Sequence, residues 1–416
     1  MSVRILRGNA LALPLADDTV DLVVTSPPYF GLRSYQDGGE HYAGQIGDEP
    51  TPAEFVDALI AATAEMVRVV KPSGSIWVNL GDKYARNGGG GRGSSDGETG
   101  RGPRPASLAT GAPEKSLIGI PWRYAIRCID DLGLILRAEV IWSKPNGLPE
   151  SVTDRVRRSH EQWFHFTLSP RYYSAVDEIR EAHETPNKDR QSTAAAKAWQ
   201  HVSEQKQTGL GGPMREQNPL GKLPGSVWTI PTEPLHVPDH LGIDHFAAYP
   251  TEWPRRIIQG WSPRGICVEC GEGRRPVVDK PSPLGHVPDS SIDRLNLGGQ
   301  RKRGATSTTA LSGSARMKWE AANPPTLVGE ACACPEPTAP TRPGVVLDPF
   351  GGTGTTALVA DVLGRDAIHV DMSADYCRLA TWRTTDPKQR AKAARREFIP
   401  PREQSDGQLD LLEGIA

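Results

Sequence analysis

The chain has 416 residues, with 48 Lys+Arg against 50 Asp+Glu and a net charge of −2, so any surface that binds nucleic acid has to be a local patch. Hydrophobic residues make up 37% and mean hydropathy is −0.45, which is enough apolar material for one large core diluted by polar segments. No run nears the roughly 18 apolar residues of a membrane span, the chain does not open on a basic-then-apolar leader pattern, and six cysteines make no disulfide framework; the expectation is a reduced, cytoplasmic protein without a membrane partner.

A strand is predicted over 3–6, followed by Gly8-Asn9. A second covers 20–25, where the apolar run Leu22-Val23-Val24 reads as a strand buried on both faces, the signature of a parallel sheet. Thr51 can cap a helix with Pro52 in its first position and Glu54 completing a capping box. Phe55, Val56, Leu59, Ile60, Met66, Val67 and Val70 then recur near a period of 3.6, and Pro72-Ser73-Gly74 is expected to stop the helix before a strand over 75–80. Strand, helix and strand in this order predict a βαβ crossover. Residues 86–116, rich in Gly, Ser, Pro and Arg, read as a flexible loop. A helix over 121–131, strands over 134–142 and 163–168, and a helix beginning at 251 follow. Residues 264–343 are again Pro/Gly/Ser-rich and hold four of the six cysteines. Strong α/β character then resumes, with a buried strand over 345–347, a helix over 355–363, a strand over 367–371 and a helix over 374–382. No internal repeat is present. The fold class is α/β.

Between the buried strand and its helix lies Asp348-Pro349-Phe350-Gly351-Gly352-Thr353-Gly354. Glycines remove the Cβ obstacle, so backbone N–H groups and a helix amino terminus can approach a ligand closely. Asp371 ends the next strand, 23 residues after Asp348, where a carboxylate can accept both ribose hydroxyls of a nucleoside. No Gly-Lys-Ser/Thr follows the turn, so it is not a triphosphate-binding loop. Ser26-Pro27-Pro28-Tyr29 directly follows the strand over 20–25. Its prolines fix the backbone and remove two N–H donors, leaving the Ser26 hydroxyl and the Pro27 carbonyl as acceptors for an amino group. Tyr29 adds a flat face for a planar ring.

Ser-Pro-Pro-Tyr after a strand, with Asp-Pro-Phe-Gly-Gly-Thr-Gly later, resembles the amino-group DNA methyltransferases, S-adenosylmethionine-dependent enzymes that modify cytosine N4 or adenine N6. Catalytic motif first and cofactor motif last resembles the β-type circular permutation of that family. Asn9 stands where the family has the Asp of a Gly-Asp turn that contacts the cofactor adenine. Residues 141–146 and 159–161 resemble its later strand motifs, and residues 245–256 resemble the segment that lines the methionine end. The resemblance covers roughly residues 1–85, 117–182, 225–262 and 344–383. It implies a Rossmann-like methyltransferase fold, circularly permuted, with a zinc-binding-like insertion and irregular target-recognition loops. Residues 1–182 would be the catalytic half, 183–224 the target-recognition segment, 225–263 the segment before the cofactor motif, 264–343 the Cys-containing insertion, 344–384 the cofactor half and 385–416 a charged tail.

The resemblance also implies residue roles. Ser26, Pro27, Pro28 and Tyr29 would be catalytic. Asn9, Asp348, Pro349, Phe350, Gly352, Thr353, Gly354 and Asp371 would hold S-adenosylmethionine. An exocyclic amine is a poor nucleophile because its lone pair is delocalised into the ring. Hydrogen bonds to Ser26 and Pro27 would localise it for in-line attack on the sulfonium methyl, and no covalent enzyme intermediate is needed. The target is buried in duplex DNA, so the base would be flipped onto Tyr29. Serine at the first motif position leans toward cytosine N4; adenine N6 is the alternative, and a non-catalytic DNA-binding regulator with a retained cofactor site is a further one. An RNA or protein methyltransferase and a dinucleotide oxidoreductase fit the motifs less well. Expected partners are double-stranded DNA, a cognate restriction endonuclease and a second copy in a homodimer.

Cys267, Cys270, Cys332 and Cys334 form two close pairs that can supply a tetrahedral structural zinc site, with unligated thiols as the alternative and His286 as a weaker candidate ligand. Cys128 and Cys377, on helical stretches, are expected to pack. Arg makes up 35 of the 48 basic residues, which suits bidentate contacts to phosphate or guanine. Candidate DNA contacts are Arg92, Arg101, Arg104, Arg155, Arg157, Arg158 and Arg301-Lys302-Arg303, or these are solvated surface.

Overall fold

The structure, a computed structural model, describes residues 2–31, 36–37, 40–41, 44–85, 111–147, 149–183, 220–243, 248–279, 326–334 and 338–398. Residues 86–110 of the expected flexible loop, 184–219 of the expected target-recognition segment, His286, Arg92, Arg101, Arg104 and the 301–303 run lie outside the described residues.

The chain opens with β1 (Val3–Arg7) and β2 (Val20–Thr25), the latter buried at every position, and a two-residue ladder of β3 (Gln36–Asp37) and β4 (Glu40–His41) follows. Helix α1 (Pro52–Val69) starts as its sequence dictates: the Glu54 N–H donates to Thr51 Oγ1 at 3.2 Å and the Thr51 N–H to Glu54 Oε2 at 3.0 Å. Such a cap contributes about 1 kcal/mol. The helix does not wait for Pro72 to end. Strand β5 (Val70–Leu80) begins at the next residue and carries Pro72 and Ser73 within it. The ladder to β2 shifts register between Val20 and Leu22, and this irregularity absorbs a proline that a regular central ladder would exclude. The predicted βαβ crossover is present, since β2 and β5 are parallel neighbours.

Helix α2 (Ile120–Asp130) and the strands β6 (Ile135–Ser143), β7 (His160–Thr167) and β8 (Val227–Thr229) follow, then α3 (Glu252–Trp261). Short strands β9 (Ile266–Cys267), β10 (Arg275–Asp279), β11 (Thr326–Ala331) and β12 (Thr341–Arg342) occupy the cysteine-containing stretch. The end of the chain gives β13 (Val345–Asp348), α4 (Thr355–Val362), β14 (Asp366–Asp371), α5 (Ala374–Thr385) and α6 (Pro387–Ala393). Helix α6 lies in the stretch read as a charged tail; Asp386 caps it, accepting from the Gln389 N–H at 2.8 Å, and Pro387 fills its first turn.

Contacts divide the chain into two units. One comprises Met1–Tyr172, Ser226–Ile258 and Pro343–Ala416, the other Tyr173–Gly225 and Gln259–Arg342. The first holds an eight-stranded sheet in the order β1-β14-β13-β2-β5-β7-β6-β8. The strands from β1 to β5 in this order are parallel, β7 runs antiparallel to β5 and β6, and β8 is parallel to β6. This is a Rossmann-like sheet, circularly permuted: the strand with the Gly-rich turn is the middle one of its five parallel strands, yet it follows β2 and β5 in the chain. On one face α1 and α2 bury Phe55, Leu59, Met66 and Tyr124 in a single cluster with Val23, Ile76, Val78, Phe164 and Phe166. Each such aromatic or branched side chain contributes roughly 1.5–3 kcal/mol on burial. Elsewhere in the sheet indoles pack together: Trp163 and Trp228 each stack on Trp253 of α3 at 4.9 Å. Helix α4 packs on β13 and β14, and α5 on β1, β14 and α4. Among the described residues no helix is long and apolar enough to cross a membrane.

Candidate active site

Strands β13 and β2 are neighbours, with Val346 opposite Leu22 and Leu347 opposite Val23. From β13 the chain turns through α4 to β14 on one side, and from β2 through α1 to β5 on the other. The carboxyl ends of such a pair open a crevice, the position at which open α/β sheets bind ligands. The two sequence motifs emerge there side by side. Thr25, the last residue of β2, donates from Oγ1 to Asp348 Oδ1 at 2.7 Å, a contact between positions 323 apart.

Asp348 is 1% exposed, and its carboxylate faces the protein. Oδ1 also accepts from the Phe350 N–H at 3.2 Å, while Oδ2 accepts from Thr356 Oγ1 at 2.8 Å and from the Tyr249 hydroxyl at 3.0 Å. Burial pushes its carboxyl above the usual range, and the hydroxyl donors from Thr25, Thr356 and Tyr249 offset part of that. Asp348 therefore anchors the base of the turn. Pro349 is buried and Phe350 half-buried beside it. Gly352 and Gly354 take left-handed φ values of +48° and +77°. The Gly352 N–H donates to Asp371 Oδ2 at 2.8 Å and the Ser373 N–H to Asp371 Oδ1 at 2.9 Å, so the carboxylate at the end of β14 ties down the tip of the turn. From α5 the buried Arg383 donates through Nη1 to Thr353 Oγ1 at 2.8 Å and Thr355 Oγ1 at 2.7 Å; burial lowers this guanidinium to about 10. Asn9 follows β1, whose Arg7 lies opposite Asp371. Its Oδ1 accepts from the Leu11 N–H at 2.9 Å. All eight residues expected to hold the cofactor thus come from the β13–α4 turn and the adjoining ends of β14 and β1.

The Ser26–Tyr29 segment is held from the strand ends on its other side. Ser26 Oγ donates to Asn79 Oδ1 at 3.2 Å, and Asn79 Nδ2 in turn donates to the Gln162 carbonyl at 3.1 Å. The Tyr29 hydroxyl has one proton for two nearby acceptors, Glu161 Oε2 at 2.7 Å and Asn79 Oδ1 at 2.9 Å. Glu161 is ion-paired with Lys144. Glu161 therefore stands at the start of β7, in the crevice. Lys144 and Glu161 lie in the stretches 141–146 and 159–161 that resemble the family's later strand motifs, and Asn79 closes the strand predicted over 75–80. Tyr249 lies in the 245–256 stretch that resembles the segment lining the methionine end, whereas Arg383 carried no signal beyond its type.

Of the candidate DNA contacts, the three described arginines are engaged within the protein. Arg155 pairs with Glu150 at 2.7 Å, Arg157 donates to the Gly147 carbonyl at 3.1 Å, and Arg158 donates to the His160 carbonyl at 3.3 Å. Cys128 is buried on α2, and Cys377 on α5 is half-buried. Cys267, Cys270, Cys332 and Cys334 meet, with all four Sγ atoms within 4.8 Å of one another.

Two histidines in the sheet are buried and neutral. Burial, with Arg137 nearby, pushes His165 down to about 3, and burial alone takes His369 down to about 4. His165 stacks on Trp77 at 4.5 Å. Both folded-state values lie below that of an unfolded histidine, so the unfolded chain binds the extra protons and stability falls as pH drops from about 6.5 toward 4. Each site should cost about 2 kcal/mol at pH 5 relative to pH 8. Urea unfolding at the two pH values checks this: His165→Gln should lose about 2 kcal/mol less than the parent over that interval, and an unchanged loss would refute the assignment.

A family model described as DNA methylase matches residues 20–268 and 338–381. Over 384 residues the chain is 28% identical to the type II methyltransferase M.SmaI of Serratia marcescens, covering 91% of this chain and 89% of that protein. It is 35% identical to M.Cfr9I of Citrobacter freundii over 60% of this chain and 70% of that protein. It is 36% identical to M.XycI of Xanthomonas campestris pv. cyanopsidis over 63% of this chain and 73% of that protein. Among solved structures, the PvuII DNA methyltransferase (cytosine-N4-specific) aligns with a TM-score of 0.49 and 16% identity, covering 95% of this chain and 92% of that one.

Proposed function

The chain belongs to the DNA methylase family of S-adenosylmethionine-dependent amino-methyltransferases, of restriction–modification type, and from that premise we propose that it methylates N4 of a cytosine flipped out of duplex DNA. The observation that carries this reading is the Ser26–Asn79 hydrogen bond. Ser26 spends its proton on Asn79 Oδ1, so its lone pairs remain to accept from a target amine beside the Gly-rich turn. A hydroxyl at this position, where related enzymes have a carboxylate, supports cytosine over adenine.

Bound S-adenosylmethionine supplies the sulfonium methyl. In this reading the Gly352 to Gly354 backbone and Phe350 form the wall on its methionine side. Asp371, which holds the Gly352 and Ser373 N–H groups, is the carboxylate that would accept the ribose hydroxyls. Asn9, whose Oδ1 accepts from the Leu11 N–H, would offer its Nδ2 as the donor to the adenine. Asp348, with each oxygen already accepting two donors, acts through the turn it anchors. Ser26 and the Pro27 carbonyl draw the amine toward tetrahedral geometry, and the two prolines keep both acceptors from relaxing away. Tyr29, fixed at its hydroxyl, offers its ring to the flipped base. A cognate endonuclease that cuts the same site completes this reading.

Transfer of labelled methyl groups to mixed-sequence duplex DNA, followed by nucleoside analysis, tests it. N4-methylcytosine is the expected product. N6-methyladenine would overturn the choice of base, and no methylated nucleoside from a chain that binds the cofactor would favour a non-catalytic DNA-binding regulator.

A further inference from the structure

We propose that Cys267, Cys270, Cys332 and Cys334 bind a structural zinc ion, and that Arg274 is the residue that compensates the charge of the resulting centre. Four thiolates around Zn²⁺ with Zn–S bonds of about 2.3 Å form a tetrahedron whose edges are about 3.8 Å. Cys267 Sγ and Cys334 Sγ are 3.8 Å apart, and none of the four sulfurs is more than 4.8 Å from another. A disulfide would instead bring two of them to about 2.05 Å.

The backbone around the cluster is built as a clasp. The Gly271 N–H donates to the Cys267 carbonyl at 3.0 Å and the Cys267 N–H to the Glu272 carbonyl at 2.9 Å, which folds the first pair into a tight knuckle. Strand β9 pairs with β12, placing Cys267 opposite Thr341. Strand β10 pairs with β11, and their ladder ends at Arg275 opposite Ala331, one residue before Cys332. The four sulfurs thus gather at the foot of two separate two-stranded ladders. A two-stranded ladder is at best marginal in water, and Val277 of β10 and Val328 of β11 are exposed at 40% and 60%, so that ladder buries little to hold itself together. Metal binding free energy would supply that deficit directly as folding free energy.

A Zn²⁺ with four thiolates carries a net charge of −2. The Arg274 guanidinium adjoins Cys332 and Cys267, and its Nη2 donates to the Ala339 carbonyl at 2.6 Å, which holds it beside the sulfurs. It is a positioning residue for the centre and does not ligate it.

The test uses the full chain purified without chelators, and metal content is read directly, so its outcome is independent of methyl transfer. About one zinc per chain is expected. Replacing the zinc with Co²⁺ should give the intense visible absorption of a tetrahedral thiolate site in the unaltered protein, which keeps the test valid if cysteine variants fail to fold. Cys332→Ser should lose the metal. Arg274→Gln should weaken zinc retention against a competing chelator by about 10- to 100-fold, with Arg274→Lys recovering part of it. A metal-free chain that does not take up Co²⁺, or one whose four cysteines map as disulfides, would overturn the zinc site. Unchanged zinc retention in Arg274→Gln would overturn the role of Arg274.

Discussion

Gly351→Ala is expected to destabilise the fold by about 3 kcal/mol or more and to weaken S-adenosylmethionine binding roughly 100-fold, about 2.7 kcal/mol. The reason is close approach. A Cβ built on Gly351 would lie 2.1 Å from Nδ1 of His369, a side chain buried in the middle of β14. Neither partner has room to give. The ring is enclosed in the sheet, and the turn is pinned by the Gly351 N–H to the Val370 carbonyl at 3.0 Å and by Gly352 to Asp371. An alanine would therefore lift the turn off β14 and separate the Asp371 carboxylate from the Gly352 N–H. A double-mutant cycle isolates the clash: His369→Ala removes the ring, so the double variant should be less destabilised than the two single effects combined, with a coupling of about 0.5–3 kcal/mol. Urea unfolding and cofactor titration by calorimetry measure both quantities. Wild-type behaviour of Gly351→Ala, or strict additivity in the cycle, would show that the packing of the turn on His369 does not matter.

That packing also marks the limit of what could be read from the chain alone. The Gly-rich turn, its flanking strand and helix, and Asp371 were legible because their signals are local: a buried apolar run, consecutive glycines and a carboxylate closing the next strand. The Ser26–Tyr29 motif was legible for the same reason. What joins the two halves was not. Thr25 to Asp348, Tyr249 to Asp348 and Tyr29 to Glu161 connect residues 323, 99 and 132 positions apart, and no spacing rule reaches across such intervals. Glu161 reaches the crevice because β7 inserts antiparallel between β5 and β6. Pro72 was read as a helix stop because proline breaks a helix interior, and the register shift beside Val20 instead gives it a place within a strand. Helix α6 was hidden by its charges, since an amphipathic period cannot show in seven residues dominated by Lys, Arg and Gln. The cysteine pairs were visible as pairs, whereas their tetrad exists only once two ladders bring the ends of an insertion together.

Ser26→Ala is expected to reduce kcat by about 100-fold or more while leaving the dissociation constant for S-adenosylmethionine within about threefold. The hydroxyl lies on the β2 side of the crevice and makes its hydrogen bond to Asn79, away from the Gly-rich turn and from Asp371. Its removal therefore deletes an acceptor for the amine and spares the residues assigned to the cofactor. The loss is large because the amine needs its lone pair localised only as the methyl transfers, so the interaction counts mainly in the transition state. Asn79→Ala separates orientation from chemistry. It frees the Ser26 proton and removes one acceptor near the Tyr29 hydroxyl, while Glu161 still holds that hydroxyl at 2.7 Å. A smaller fall in kcat, about 10-fold, accompanied by lower stability from the unpaired Gln162 carbonyl, is the expected pattern. Single-turnover transfer to duplex DNA, with cofactor binding measured separately, distinguishes these outcomes. Equal losses of turnover and cofactor affinity in Ser26→Ala would make Ser26 a structural prop of the crevice and transfer the acceptor role to the Pro27 carbonyl alone.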